Sequence, residues 1–88
     1  MPETQDWPEW WHWELELTPH VFKRIEDRDF NEVDLRQMLE HALGYHRDVV
    51  DGRWVIEARH DRQRWEIILE PDDVDQLLVV VTAYPMIK

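Results

Sequence analysis

The chain contains no cysteine and no serine. Without thiols there can be no disulfide and no thiolate-held metal. With serine missing as well, the usual hydrolytic triads have no nucleophile. Glycine occurs only at Gly44 and Gly52, too few for a phosphate-cradling glycine-rich loop. No apolar run approaches the ~20 residues a membrane helix needs. The opening Met1-Pro2-Glu3 lacks the basic-then-apolar order of a signal peptide. These absences lead to the expectation of a cytoplasmic protein with no membrane partner.

Positive charge is scarce too. Ten Lys or Arg face twenty Asp or Glu, for a net charge of −10, which weighs against nucleic-acid binding because Lys and Arg drive contact with phosphate. The deficit is uneven. Residues 1–45 hold four cations against eleven carboxylates, and residues 65–88 hold one against five. Residues 46–64 hold Arg47, Arg53, Arg59, Arg62 and Arg64 against four carboxylates, with His46 and His60 besides. An exposed strand face of mixed charge is the plainest account of that stretch.

What the chain does have is bulk and alternation. Its 88 residues suffice for one thin core, and six tryptophans supply much of the filling. Three apolar, β-branched runs follow one another at residues 53–60, 64–70 and 77–84. Trp54, Ile56 and Ala58 share one face of the first; Trp65, Ile67 and Leu69 share one face of the second. If His60 opposes Gln63, Ala58 meets Trp65, Ile56 meets Ile67 and Trp54 meets Leu69. A slip of one residue would expose half of them, whereas a slip of two would keep the faces. That register sets Arg59 against Arg64 and Glu57 against Glu66, with favourable diagonals Arg59–Glu66 and Glu57–Arg64. Asp61-Arg62 is not a strongly preferred two-residue turn, which leaves room for a looser loop. The third run is apolar on both faces up to Thr82, as suits a central strand buried on both sides.

Upstream, residues 1–9 read as a loose lead-in to a single domain over 10–88. Trp11, Trp13, Leu15 and Leu17 alternate with His12, Glu14 and Glu16, which predicts an edge strand. Thr18-Pro19 is a helix start, with a hydroxyl N-cap and then proline. The helix should run to about residue 27 on an apolar side of Val21, Phe22 and Ile25, with His20, Arg24 and Arg28 as a polar stripe. Asn31 and Asp34 predict a capping box for a second helix through about residue 43, buried at Leu35, Met38, Leu39 and Ala42 and capped by Gly44. Residues 45–52 read as a polar connection ending in the turn signal Asp51-Gly52. The expected fold is therefore α+β: a single antiparallel sheet in the order β-α-α-β-β-β with two helices packed on one face.

Several groups could carry chemistry. His20 lies in the first turn of its helix, where the dipole disfavours imidazolium, so a neutral general base beside Arg24 is conceivable. The competing reading is a histidine hydrogen-bonded near a helix end. Arg53, Arg59, His60 and Arg64 around the hairpin could receive a phosphodiester, although exposed hairpin arginines are commonplace. Tyr84 ends a strand, where functional side chains often sit, though core tyrosines also end with their hydroxyl at the surface. Glu40, His41, His46 and Asp48 lack helical metal-ligand spacing, so neither metal nor cofactor is expected. Trp7 and Trp10 could equally cover the core or, with Trp11, form a partner surface, including a homodimer contact.

Four stretches resemble a family of small bacterial proteins catalogued as domain of unknown function 4258. They are Thr18-Pro19-His20-Val21 with Arg24 and Arg28, Phe30-Asn31-Glu32-Val33-Asp34-Leu35, Gly52-Arg53-Trp54-Val55-Ile56-Glu57 and Val79-Val80-Val81-Thr82-Ala83-Tyr84. The element order is in turn similar to RelE-like and BrnT-like toxins of toxin–antitoxin pairs, which are small ribonucleases. This likeness implies metal-independent RNA cleavage and an antitoxin partner. His20 would activate the ribose 2′-hydroxyl, Arg24, Arg59 or Arg64 would stabilise the developing charge, and Tyr84 would act as acid or stack on a base. Such toxins are usually basic, whereas this chain is acidic. The alternative expectation is a non-catalytic, acidic protein-interaction domain.

Overall fold

The alternation of the last three apolar runs does produce strands, and the rest of the chain assembles around them. The computed structural model describes residues 8–28 and 31–86, apart from the side chains of 24–26 and 28. A 3-10 turn, Glu9–His12, leads into β1 (Glu14–Leu17), α1 (Pro19–Arg28), α2 (Glu32–Glu40), β2 (Gly44–Arg47), β3 (Trp54–His60), β4 (Gln63–Asp72) and β5 (Leu77–Pro85). The fold is α+β, with two helices and one five-stranded sheet in the order β1-β5-β4-β3-β2. Most of the expected lead-in lies outside the described residues.

The sheet is mixed rather than antiparallel. β2, β3, β4 and β5 form an antiparallel meander, but β1 pairs parallel to β5, with Leu15 opposite Leu78 and Leu17 opposite Val80. That pairing keeps Leu15 and Leu17 on the side of the core, and it continues into Thr18, whose N–H donates to the Val80 carbonyl at 3.4 Å. The edge strand is also shorter than expected. Trp11 and His12 belong to the 3-10 turn, closed by the Trp13 N–H on the Trp10 carbonyl. The helix–strand order becomes β-α-α-β-β-β-β, because Gly44–Arg47 is a strand and not a polar connection. Leu43 already donates to the Glu57 carbonyl at 2.7 Å, so the chain enters the sheet there. α2 therefore ends at Glu40 with His41 as its cap, and Gly44 takes a strand position instead.

The capping box of α2 forms as expected. The Asp34 N–H donates to Asn31 Oδ1 at 2.9 Å and the Asn31 N–H to Asp34 Oδ2 at 3.0 Å. Thr18 Oγ1 accepts from the Val21 N–H at 3.3 Å, which starts α1. Val21 from α1 and Leu35, Met38 and Leu39 from α2 join Ile56, Ala58, Trp65, Ile67, Leu69, Leu78, Val80 and Ala83 in one core, so both helices lie on one face of the sheet. Phe22, expected in the buried side of α1, is 55% exposed; Ile25 lies outside the described side chains.

β5 is not the centre of the sheet and is not buried on both faces. β4 occupies the middle, and Val79 and Val81 are only half-buried. A register shift between Ile68 and Leu69 skips Val81, pairing Ile68 with Thr82 and Leu69 with Val80. This bulge lets Leu78, Val80 and Ala83 bury on the same face despite their odd spacing. At the β2–β3 end, Trp10, Tyr45 and Trp54 pack tilted or edge-on with centroids 5.5–6.4 Å apart, and the Arg47 guanidinium lies 5.2 Å from the Trp54 ring. Trp10 and Trp11 are thus half-buried against the core, while Trp7 lies outside the described residues.

The β3–β4 register is the expected one, His60 opposite Gln63 through Trp54 opposite Leu69. Its turn is tight, not loose: Asp61 and Arg62 both take left-handed backbone, at φ 55° and 68°. Two positive φ values match the twist of a hairpin, but arginine is strained there. Arg62→Gly should therefore stabilise the fold by about 0.5–1 kcal/mol. Urea unfolding checks this: a higher midpoint at unchanged slope is expected, and a lower midpoint would refute the assignment.

Candidate functional site

Strand alternation decides where each candidate side chain goes. Ala58 and Trp65 are buried beneath the helices, so Arg59 and Arg64, their neighbours in sequence, project from the opposite face. Trp54 and Leu69 likewise send Arg53 and Glu70 outward. The bulge in β5 places Tyr84 opposite Glu66 on the same outer face. Four of the seven candidates, Arg53, Arg59, Arg64 and Tyr84, therefore share the helix-free side of the sheet.

The other three do not join them. His20 is exposed on α1, whose Val21 anchors it to the core on the helix-bearing face. Arg24 belongs to the same helix, and its side chain lies outside the described residues. His60 turns toward the helix-bearing side as well, its ring edge-on to Trp65 with centroids 5.9 Å apart. The sheet thus stands between the expected general base and the hairpin arginines.

On the open face, cations and carboxylates pair across strands. Arg53 Nε donates to Glu70 Oε1 at 3.0 Å, and Arg64 donates to Glu57 Oε1 at 3.1 Å, the diagonal that the register favours. The other oxygen of Glu57 lies 3.4 Å from His46 Nδ1, so this carboxylate bridges β2, β3 and β4. Arg59 makes no ion pair among the described residues. Beneath the polar layer Val55 and Ile68 pair across the strands and are 5% and 7% exposed, with Thr82 next in the row. An apolar strip therefore crosses a face that carries no helix.

Tyr84 makes the shortest of these contacts, donating its hydroxyl to Glu66 Oε1 at 2.6 Å. That hydrogen bond, followed by partial burial and the nearby negative charges of Glu66 and Asp48, pushes the phenol up from 10.0 to about 12. Tyr84 therefore keeps its proton at neutral pH. It can donate a hydrogen bond or present a ring, but it cannot serve as a base.

His46, Glu57, Glu66 and Glu70 complete this surface and were not among the site residues expected from the sequence. Of the two diagonals that the sequence offered, Glu57–Arg64 forms, whereas Glu66 accepts from Tyr84 in place of pairing with Arg59. His46 was hidden because β2 is four residues long, too short for alternation to declare itself. Among the described residues, no three His, Asp or Glu side chains are grouped to hold a metal, and no helix is long and apolar enough to cross a membrane. Comparison with family models, curated proteins and solved structures finds no match to this chain.

The Tyr84–Glu66 bond has a pH signature. Because the folded phenol holds its proton more tightly than the unfolded one, its stabilising contribution is complete below about pH 10 and is lost as pH rises through about 12. Tyr84→Phe should flatten the stability curve across that window. In ultraviolet titration Glu66→Gln should bring the high phenol titration down toward 10; a Tyr84 already titrating near 10 in the wild type would contradict the hydrogen bond.

Proposed function

We propose that this chain is a non-catalytic interaction domain whose open sheet face binds a basic, amphipathic stretch of a partner protein. One observation carries the reading. Arg53 and Arg64 are neutralised by cross-strand carboxylates over the Val55–Ile68 strip, while His20 and Arg24 belong to the other side of the sheet. Cleaving RNA requires base and phosphate cradle to reach one substrate, and a phosphodiester on this face would meet Glu57, Glu66 and Glu70 as well as the arginines. A protein segment suits it better. Val55 and Ile68 are themselves covered, but the half-buried Leu77 and Val79, opposite Asp72 and Glu70, leave apolar surface among the charges, as at an interface. A net charge of −10 steers basic partners toward it.

A second reading follows the resemblance to domain of unknown function 4258 and to RelE-like and BrnT-like toxins. A strand, two helices and an antiparallel meander is the order those toxins share, and Arg53, Arg59, Arg64 and Tyr84 gather on one solvent-facing surface. In that case Arg59, without an ion pair among the described residues, would hold phosphate. Tyr84 would act as acid or stacking platform, and His46, on this face beside Glu57, would stand in for His20 as the imidazole. An antitoxin would be the natural protein partner on that reading.

One comparison separates the two. Tagged wild type, a Glu57→Lys/Glu70→Lys variant and His20→Ala are expressed in the native cells, and bound proteins are quantified while purified samples are incubated with RNA. The interaction reading predicts a protein recovered equally with wild type and His20→Ala, at least about tenfold less with the face variant, and intact RNA. RNA cleavage that Arg59→Ala abolishes would establish the ribonuclease instead. Recovery indifferent to the face variant would refute the surface.

A further inference from the structure

The helix-bearing side holds a separate feature, a half-open cavity of about 300 Å³ wedged between α2 and the segment that enters β1. Its floor is apolar: Leu15 from β1, Leu39 from α2 and Leu78 from β5. Trp11 and Trp13 wall it on one side. At the mouth stand His12, Arg36 and Glu40. An apolar, aromatic-lined recess of this size with a few polar groups at its rim has the make-up of a small-molecule site.

The polar groups at the mouth are arranged by the helix. Arg36 and Glu40 are four residues apart and so occupy neighbouring positions on one face of α2, about 5–6 Å apart at Cβ. Arg36 is half-exposed and pairs only loosely with Glu32 across the preceding turn, at 3.7 Å. Glu40 is exposed and makes no ion pair among the described residues. It also closes the helix at its negative end, where a carboxylate is disfavoured, and the last turn of α2 carries no basic residue. An ammonium at Glu40 would relieve that repulsion. A carboxylate one turn away would find Arg36, with His12 of the 3-10 turn also lining the cavity.

We propose that this cavity binds a free α-amino acid with a large apolar side chain. The ammonium would sit against Glu40 and the carbonyls at the end of α2, the carboxylate against Arg36, and the side chain between Trp11 and Trp13 on the leucine floor. The site is distinct from the open sheet face, and it stands or falls independently of what that face binds.

The test uses the full chain and the indole N–H resonances of its six tryptophans, titrated with phenylalanine, leucine, phenethylamine, 3-phenylpropionate and glycine. Phenylalanine and leucine should shift two indole signals saturably, with half-saturation at or below about 1 mM. Trp11→Phe and Trp13→Phe assign those signals. Phenethylamine, 3-phenylpropionate and glycine, each lacking one of the three features, should bind at least about tenfold more weakly. Glu40→Gln should weaken phenylalanine and leave 3-phenylpropionate unchanged, and Arg36→Gln should weaken phenylalanine and leave phenethylamine unchanged. Both positions are exposed, so the fold should survive. No saturable shift by 10-fold above that concentration overturns the proposal, as does equal binding of phenylalanine and either singly charged analogue.

Discussion

The parallel pairing of β1 with β5, closed by Thr18, is the constraint on which the remaining architecture hangs. The Thr18 hydroxyl donates toward the Val80 carbonyl at 3.1 Å and accepts from the Val21 N–H at 3.3 Å. One residue thus ends β1, caps α1 and ties the front of the chain to its last strand, 62 positions away. The carbonyl of Val81, the residue that the bulge skips, lies 3.3 Å from the same hydroxyl. Clamp and bulge therefore meet at one point. The clamp holds α1 over β5, and the bulge resets the phase of β5 so that Ala83 turns inward and Tyr84 outward to Glu66.

The result is a sheet with two different faces. Helices, the aromatic cluster at the β2–β3 end and a leucine-floored cavity occupy one. The other carries a polar layer of cross-strand pairs over Val55 and Ile68. Exposed ion pairs of this kind contribute only about 0–1 kcal/mol each to stability, so they are weak support for the fold and are better regarded as a surface. A partner that displaces or extends them would cost the fold little.

Legibility in the sequence followed the range of the interactions concerned. The β3–β4 register was readable to within even slips, because Trp54, Ile56, Ala58 and Trp65, Ile67, Leu69 share a face only in those; the structure takes the expected one. The caps at Thr18 and Asn31 were readable because they are local. The parallel pairing of β1 was not, since nothing in Leu15 or Leu17 says whether its neighbour runs with it or against it. β2 was missed for its shortness, and α2 was drawn too long because Leu43 yields to a sheet hydrogen bond that no local pattern encodes. The candidate site divided for the same reason. Arg53, Arg59 and Arg64 could be grouped by alternation, but only the full topology puts His20 and Arg24 across the sheet from them.

The absence of native cysteine makes the central claim, that the helix-free face binds a partner protein, open to direct measurement. A single cysteine introduced at Arg59 or at His20 can be labelled with a photo-crosslinker and activated among the native cell contents. Crosslinking of one protein from position 59 and none from position 20 is the predicted result. Crosslinks formed from position 20 alone, or to RNA from position 59, would contradict it.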